Sequence, residues 1–182
     1  MEKKKDMIWY NSMNYGGILG GILVVISLIG YVFHLQTSMA LQMLNYLFMG
    51  GLLYYGTKVL RDKYDGGVMG YGRGLASGFL ISLFAGIIVG FFVLIYFKWL
   101  DPSMLETMRA DAEQKMIENG TPDKYIEQSL RYINGTIMAI GTIISFAFWG
   151  FLLSLLVGIL VMKKPNPLDV VDTEENKDEL ED

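Results

Sequence analysis

Apolar residues along the chain gather into four blocks that contain no Asp, Glu, Lys or Arg: Tyr15 to Phe33, Met39 to Thr57, Leu75 to Phe97 and Thr136 to Met162. At about 1.5 Å of rise per helical residue, each block reaches across the roughly 30 Å of hydrocarbon in a bilayer. A backbone in lipid has no water to satisfy its amides, so blocks of this length read as spanning helices. The pattern predicts helices over about 13–34, 39–60, 74–98 and 136–162. The first block follows Lys3, Lys4 and Lys5, as a secretory leader would. Its uncharged run exceeds the roughly 7–15 residues of a leader's apolar segment, so it is read as a retained helix.

Between the third and fourth blocks the pattern changes. Asp101 followed by Pro102 is an N-cap and first-turn pair, and Leu105, Met108, Ala112 and Met116 recur near helical spacing until Asn119 and Gly120 supply a stop. Thr121 and Pro122 repeat the start signal, and Tyr125, Ile126, Leu130 and Ile133 give a second apolar stripe. The expected fold is all-α: one polytopic membrane domain over 1–164 with four transmembrane helices. An amphipathic helical hairpin over 101–133 joins the third and fourth helices, lying on the outer membrane surface or capping the bundle.

Charge orients this arrangement. Lys3, Lys4 and Lys5 precede the first helix, Lys58, Arg61, Lys63 and Arg73 separate the second and third, and Lys163 and Lys164 follow the fourth. Four helices place all three basic groups on one side, and the positive-inside rule makes that side cytoplasmic, both termini included. The Lys98 to Gly135 segment is net acidic and falls outside. The tail, 165–182, carries Asp169, Asp172, Glu174, Glu175, Asp178, Glu179, Glu181 and Asp182 against Lys177 alone, a composition that cannot bury a core and reads as disordered. The net charge of -4 excludes a nucleic-acid partner, because phosphate binding needs a basic face.

Candidate chemistry is sparse. With no Cys and one His (His34), thiolate sites, cysteine nucleophiles and histidine-rich metal clusters cannot be assembled. His34 reads as an interfacial residue. No Asp, Glu, Lys, Arg or His lies in the interior of a predicted helix, where proton relays and ion pathways would put one. Glu106, Asp111 and Glu113 in the outer loop read as a solvated face, the alternative being an acid–base pair or a divalent-ion site. The connector with Gly66, Gly67, Gly70, Gly72 and Gly74 lacks the Gly-Lys-Ser/Thr ending of a phosphate loop. Its Val68 to Gly72 run has no pore helix before it, so it reads as a flexible turn. No catalytic residue, cofactor or metal ligand is expected.

More informative are the small residues. Gly74, Gly78, Ser82, Gly86 and Gly90 recur every fourth position in the third helix, and Gly150, Ser154 and Gly158 repeat the device in the fourth, after Gly141 and Ser145. The first helix pairs Gly16 with Gly20 and Gly17 with Gly21. Lipid tails are as apolar as leucine, so helices associate in them by close van der Waals approach, which such grooves permit. These faces are the candidate interface, within the chain or towards a partner: membrane lipid, a second copy in a homo-oligomer, or another membrane protein. One ladder is expected to be left over for that partner.

Several short segments together carry a resemblance: the Lys-rich start Met1 to Asp6, Tyr15-Gly16, the connector Lys63 to Gly78, Asp101-Pro102-Ser103, Glu113 to Gly120, and the ending Lys163-Lys164-Pro165-Asn166-Pro167. In their order and spacing they resemble domain of unknown function family 4199, integral membrane proteins of Bacteroidota. The resemblance spans nearly the whole chain. It implies a four-helix protein of the bacterial inner membrane with no catalytic residue to carry over, and an association with polyprenyl-phosphate glycosyltransferases.

Three kinds of function follow from these readings. The leading one is a non-enzymatic scaffold or accessory subunit of a membrane complex. The second is a carrier or channel-like protein for a small molecule or lipid, marked by a cavity between the helices, and the third is an enzyme using the outer-loop carboxylates. The resemblance adds, as an alternative, an accessory protein of a polyprenyl-phosphate glycosyltransferase.

Overall fold

The computed structural model describes residues 2–33 and 38–163. His34, Lys164 and the acidic tail lie outside the described residues. Among those described the fold is all-helical: α1 (Glu2–Val32), α2 (Met39–Val59), α3 (Tyr71–Ile95), α4 (Pro102–Glu118), α5 (Asp123–Leu130) and α6 (Gly135–Val161). A π-helical turn ends α2 at Leu60–Tyr64, and another ends α3 at Tyr96–Leu100.

The long helices α1, α2, α3 and α6 run alternately up and down. Asn11 Nδ2 donates to Gly56 O at 3.0 Å, joining the start of α1 to the end of α2. Met69 and Lys163 exchange two backbone hydrogen bonds of 3.0 Å, joining the connector before α3 to the end of α6. At the opposite end Tyr31 donates to Leu100 O at 3.3 Å, and its ring meets Tyr96 edge-on at 5.6 Å. Lys58, Arg61, Lys63, Arg73 and Lys163 therefore share one end of the bundle, and α4 and α5 lie at the other.

Among the described residues three helices are long and apolar enough to cross a membrane: Asp6–Val32, Tyr71–Leu100 and Gly135–Val161. α2 has the length, at 21 residues, but Gln42, Asn45, Tyr46, Tyr54 and Tyr55 dilute its hydropathy. The core runs along α3 with Ile81, Ala85 and Val89, which pack with Leu19 and Leu23 of α1, Met49 and Leu53 of α2, and Val157 and Val161 of α6.

Among the long helices two starting points differ from the sequence expectation. α1 begins at Glu2 rather than near residue 13, because nothing between Glu2 and Asn14 breaks a helix and its early turns are held by buried Ile8, Asn11 and Ser12. α3 begins at Tyr71 rather than 74, after Gly70 in extended conformation (φ -74°, ψ 152°). In the connecting segment Asp101 caps α4 as expected, accepting from Met104 N at 3.1 Å. α5 starts after Pro122 rather than from a Thr121 cap and ends at Leu130, so Ile133 lies beyond it.

Candidate functional site

The small residues singled out in the sequence meet one another in a single seam between α3 and α6. A Cβ built on Gly74 would lie 3.3 Å from Gly158 Cα, and one on Gly78 would lie 2.6 Å from Ser154 Oγ. One on Gly150 would overlap Ser82 Oγ and Cβ. Further along, a Cβ on Gly86 would lie 2.6 Å from Phe146 Cβ, and one on Gly90 would lie 2.6 Å from Ile143 Cγ1. From Gly74 to Gly86 each four-residue step up α3 is a four-residue step down α6, the register of an antiparallel pair whose backbones approach as closely as missing side chains allow. Both seam serines turn their hydroxyls onto their own helix, Ser82 to Phe79 O at 2.8 Å and Ser154 to Gly150 O at 2.6 Å, so neither is left wanting in a dry interface.

This arrangement corrects one expectation. No part of the Gly74 to Gly90 ladder, nor Gly150, Ser154 and Gly158, is spare: α3 and α6 fill each other's notches. α1 uses a second face of α3, where a Cβ built on Gly16 would lie 2.6 Å from Phe84 Cβ and 2.8 Å from Ile81 O, and one on Gly20 would lie 2.9 Å from Ile88 Cβ. Gly17, Gly21, Gly50, Gly51 and Gly141 are different, since a Cβ on any of them meets nothing within 4 Å.

The basic end is tied rather than loose. Gly66 (φ 68°) and Gly67 (φ 83°) take the left-handed conformation that turns the chain after α2. The connector then lies against α6, burying Met69. Arg73 Nε pairs with Asp65 Oδ2 at 2.6 Å, and the Asp65 side chain is 3% exposed. Arg61 Nη1 donates to Val161 O at 3.1 Å, placing a cation on the carbonyl end of α6, where the helix dipole favours it. The same guanidinium donates to Asp62 at 2.6 Å, and that hydrogen bond holds the Asp62 carboxyl below the usual carboxylate range while raising Arg61. The flexible turn read from the glycines is thus a fixed clip. Its signal in the sequence was Met69, an apolar residue that a solvated turn has no use for.

Towards the other end α2 stands off the α1–α3–α6 core and leaves two cavities, ≈ 270 Å³ and ≈ 420 Å³ in volume, which share Ser27, Gln42, Asn45 and Val89 as walls. Ser27, Gln42 and Asn45 are polar residues within the uncharged blocks, and no pattern in the sequence assigns them a role. Their spacing, three residues apart near the start of α2, puts both carboxamides on one face. Glu106, Asp111 and Glu113 are all exposed. Among the described residues no three His, Cys, Asp or Glu side chains come together in a metal-binding group.

No curated protein and no solved structure matches the chain. The model of a family of proteins of unknown function, DUF4199, matches residues 14–163, the stretch that holds α1 from Asn14 onward, the other three long helices, the clip and the cavities. The chain belongs to the DUF4199 family.

Proposed function

We propose that the chain is a four-span protein of the bacterial inner membrane, with both termini and the connector between α2 and α3 on the cytoplasmic side. In this reading it serves without chemistry of its own as a scaffold or accessory subunit of a membrane complex. For α2 as the fourth span, its 21 residues rise about 31 Å, matching the hydrocarbon thickness. It lies alongside three helices that are apolar enough to cross, and Asn45 borders cavities between α2 and the core. For the orientation, the cations of the clip gather at one end. At the other end Trp99, Tyr125 and Tyr132 are exposed, as residues of an interfacial aromatic belt would be. There α4 presents one half-buried face, Met104, Leu105, Met108, Ala112 and Met116, consistent with an amphipathic hairpin seated on the outer membrane surface.

The observation that carries the scaffold reading is the open face of α1 at Gly17 and Gly21. These glycines floor a groove of ≈ 390 Å³, walled by Ile18, Ile22, Val25 and Phe48. Small residues four apart on a free face let a second transmembrane helix approach closely. The seam between α3 and α6 takes no part, being filled. The test compares rescue of a deletion phenotype by two variants that insert normally. Glu106→Gln with Asp111→Asn and Glu113→Gln rescues, while Gly17→Leu with Gly21→Leu fails. The opposite pattern makes the outer carboxylates the working groups and removes the scaffold reading.

A further inference from the structure

The two cavities between α2 and the core have a chemistry of their own. Ser27 spends its proton on Leu23 O at 2.9 Å, leaving its oxygen as an acceptor. Asn45 Oδ1 accepts no hydrogen bond and has almost no accessible surface, so a donor in the cavities that Asn45 borders meets it once the carboxamide turns about its soft χ2 torsion. A shielded acceptor of this kind is destabilising until a donor reaches it, so the site asks for a ligand that carries O–H or N–H. No Lys, Arg, Asp or Glu lines either cavity. A charged head would lose its hydration there with nothing to offset the loss.

The remaining walls are apolar. Leu23, Met49 and Phe146 line the larger cavity, and Ile26, Phe92 and Phe97 the smaller. Tyr46 of α2 and Ser145 and Trp149 of α6 border the larger cavity and are exposed, so it has an open side between those two helices. Such a mouth admits a molecule from the bilayer rather than from water. Asn45 is four turns of chain away from the clip yet only six residues into α2, about 9 Å along the helix axis from Met39. A polar head there sits near the interface, and a chain running past Met49 points towards the bilayer centre. The sizes are near the roughly 300–1,000 Å³ usual for pockets that enclose small ligands.

The geometry points to a binding site for an uncharged single-chain lipid of the monoacylglycerol class. Its hydroxyl donates to Asn45 with Gln42 and Ser27 beside it, and its acyl chain lies along Leu23, Met49 and Phe146. This role is separate from the partner-helix face at Gly17 and Gly21, and either stands without the other.

The test uses the full chain reconstituted in phosphatidylcholine vesicles doped with a monoacylglycerol that carries a photoreactive diazirine in mid-chain. A diazirine phosphatidylcholine reports bulk lipid contact. The expected result is labelling concentrated on peptides containing Met49 and Phe146, displaced by unlabelled monooleoylglycerol and not by oleate. Asn45→Leu weakens displacement roughly tenfold, the size of one lost hydrogen bond. Val89→Trp, which fills the junction of the two cavities, abolishes the concentrated labelling. Gln42→Leu, at an exposed position, gives a second reading should Asn45→Leu unfold the chain, and weakens displacement as well. Phe91→Leu, on an exposed face elsewhere on α3, leaves labelling unchanged. The proposal is overturned by labelling spread like that of the phosphatidylcholine probe, by equal displacement with oleate, or by folded Asn45→Leu and Gln42→Leu variants that bind as the parent does.

Discussion

Ser82 of α3 occupies the notch left by Gly150 of α6, while its hydroxyl is turned back to Phe79 O. The fit leaves no room for a methyl group. Gly150→Ala is expected to lower stability by about 1–3 kcal/mol through overpacking, and Ser82→Gly made with it to recover most of that loss. Reversible unfolding of the four members of this double-mutant cycle in detergent measures the coupling. Independent, additive effects would mean that the two residues do not touch.

Gly86→Leu tests the same seam further along, where Phe146 Cβ stands 2.6 Å from the place a Cβ would take. It is expected to separate α3 from α6. Phe92→Leu, off the seam and beside the cavity, is expected to be mild, costing less than about 1.5 kcal/mol. Thermal midpoints of the two purified variants decide the matter.

Topology is accessible because the chain has no Cys. Val68→Cys is expected to react with a membrane-impermeant maleimide from the same side as a tag on the amino terminus, and Thr121→Cys from the opposite side. If α2 does not cross the bilayer, Val68→Cys reacts from the side opposite the tag.

Asp65 is nearly buried against the partly exposed Arg73 (side chains 3% and 28% exposed). Removing one partner of a buried ion pair costs about 3–5 kcal/mol, and the solvent open to Arg73 brings the expectation for Asp65→Ala down to about 2 kcal/mol. Asp65→Asn keeps an acceptor for the guanidinium and is expected to cost about half as much. Urea midpoints at constant slope read both values, and an unchanged midpoint for Asp65→Ala would show that the pair contributes nothing.

Two glycines of α2 separate fold from surface. A Cβ on Gly56 would sit 2.8 Å from Ile81 Cδ1 and 2.9 Å from the Tyr15 ring, whereas one on Gly51 meets nothing within 4 Å. Gly56→Leu is expected to lower the thermal midpoint of the purified protein sharply, and Gly51→Leu to leave it within about 1 °C, since surface changes rarely exceed ±0.5 kcal/mol.

The long uncharged blocks made the helices legible, and the four-residue recurrence of Gly74 to Gly90 showed that this face of α3 packs, because both are properties of a helix taken alone. Which helix fills that face depends on register between segments some sixty residues apart, and that pairing leaves no mark in either segment. The clip was hidden for a related reason: Gly66 and Gly67 announce a turn, but hydrogen bonds from Met69 to Lys163 are made by backbone, which every residue carries. Gln42 and Asn45 were legible as polar residues in an apolar block. That they border a crevice follows only from α2 standing off the core, a matter of helix placement. The start of α1 was set too late because Lys3, Lys4 and Lys5 were read as a flank, although charge does not end a helix.

The seam has a consequence in time. Its two halves are made far apart: α3 is complete at Ile95, and α6 begins only at Gly135. At the roughly 5–20 residues per second of chain synthesis, the glycine face of α3 waits several seconds for the helix that covers it. Through that interval α1 is already available to hold α3 by its other side, at Gly16 and Gly20, while the bare face is open to the α6 of a neighbouring chain. A nascent chain stopped at Asn134 stays in that condition, with its ladder exposed to whatever helix the membrane supplies.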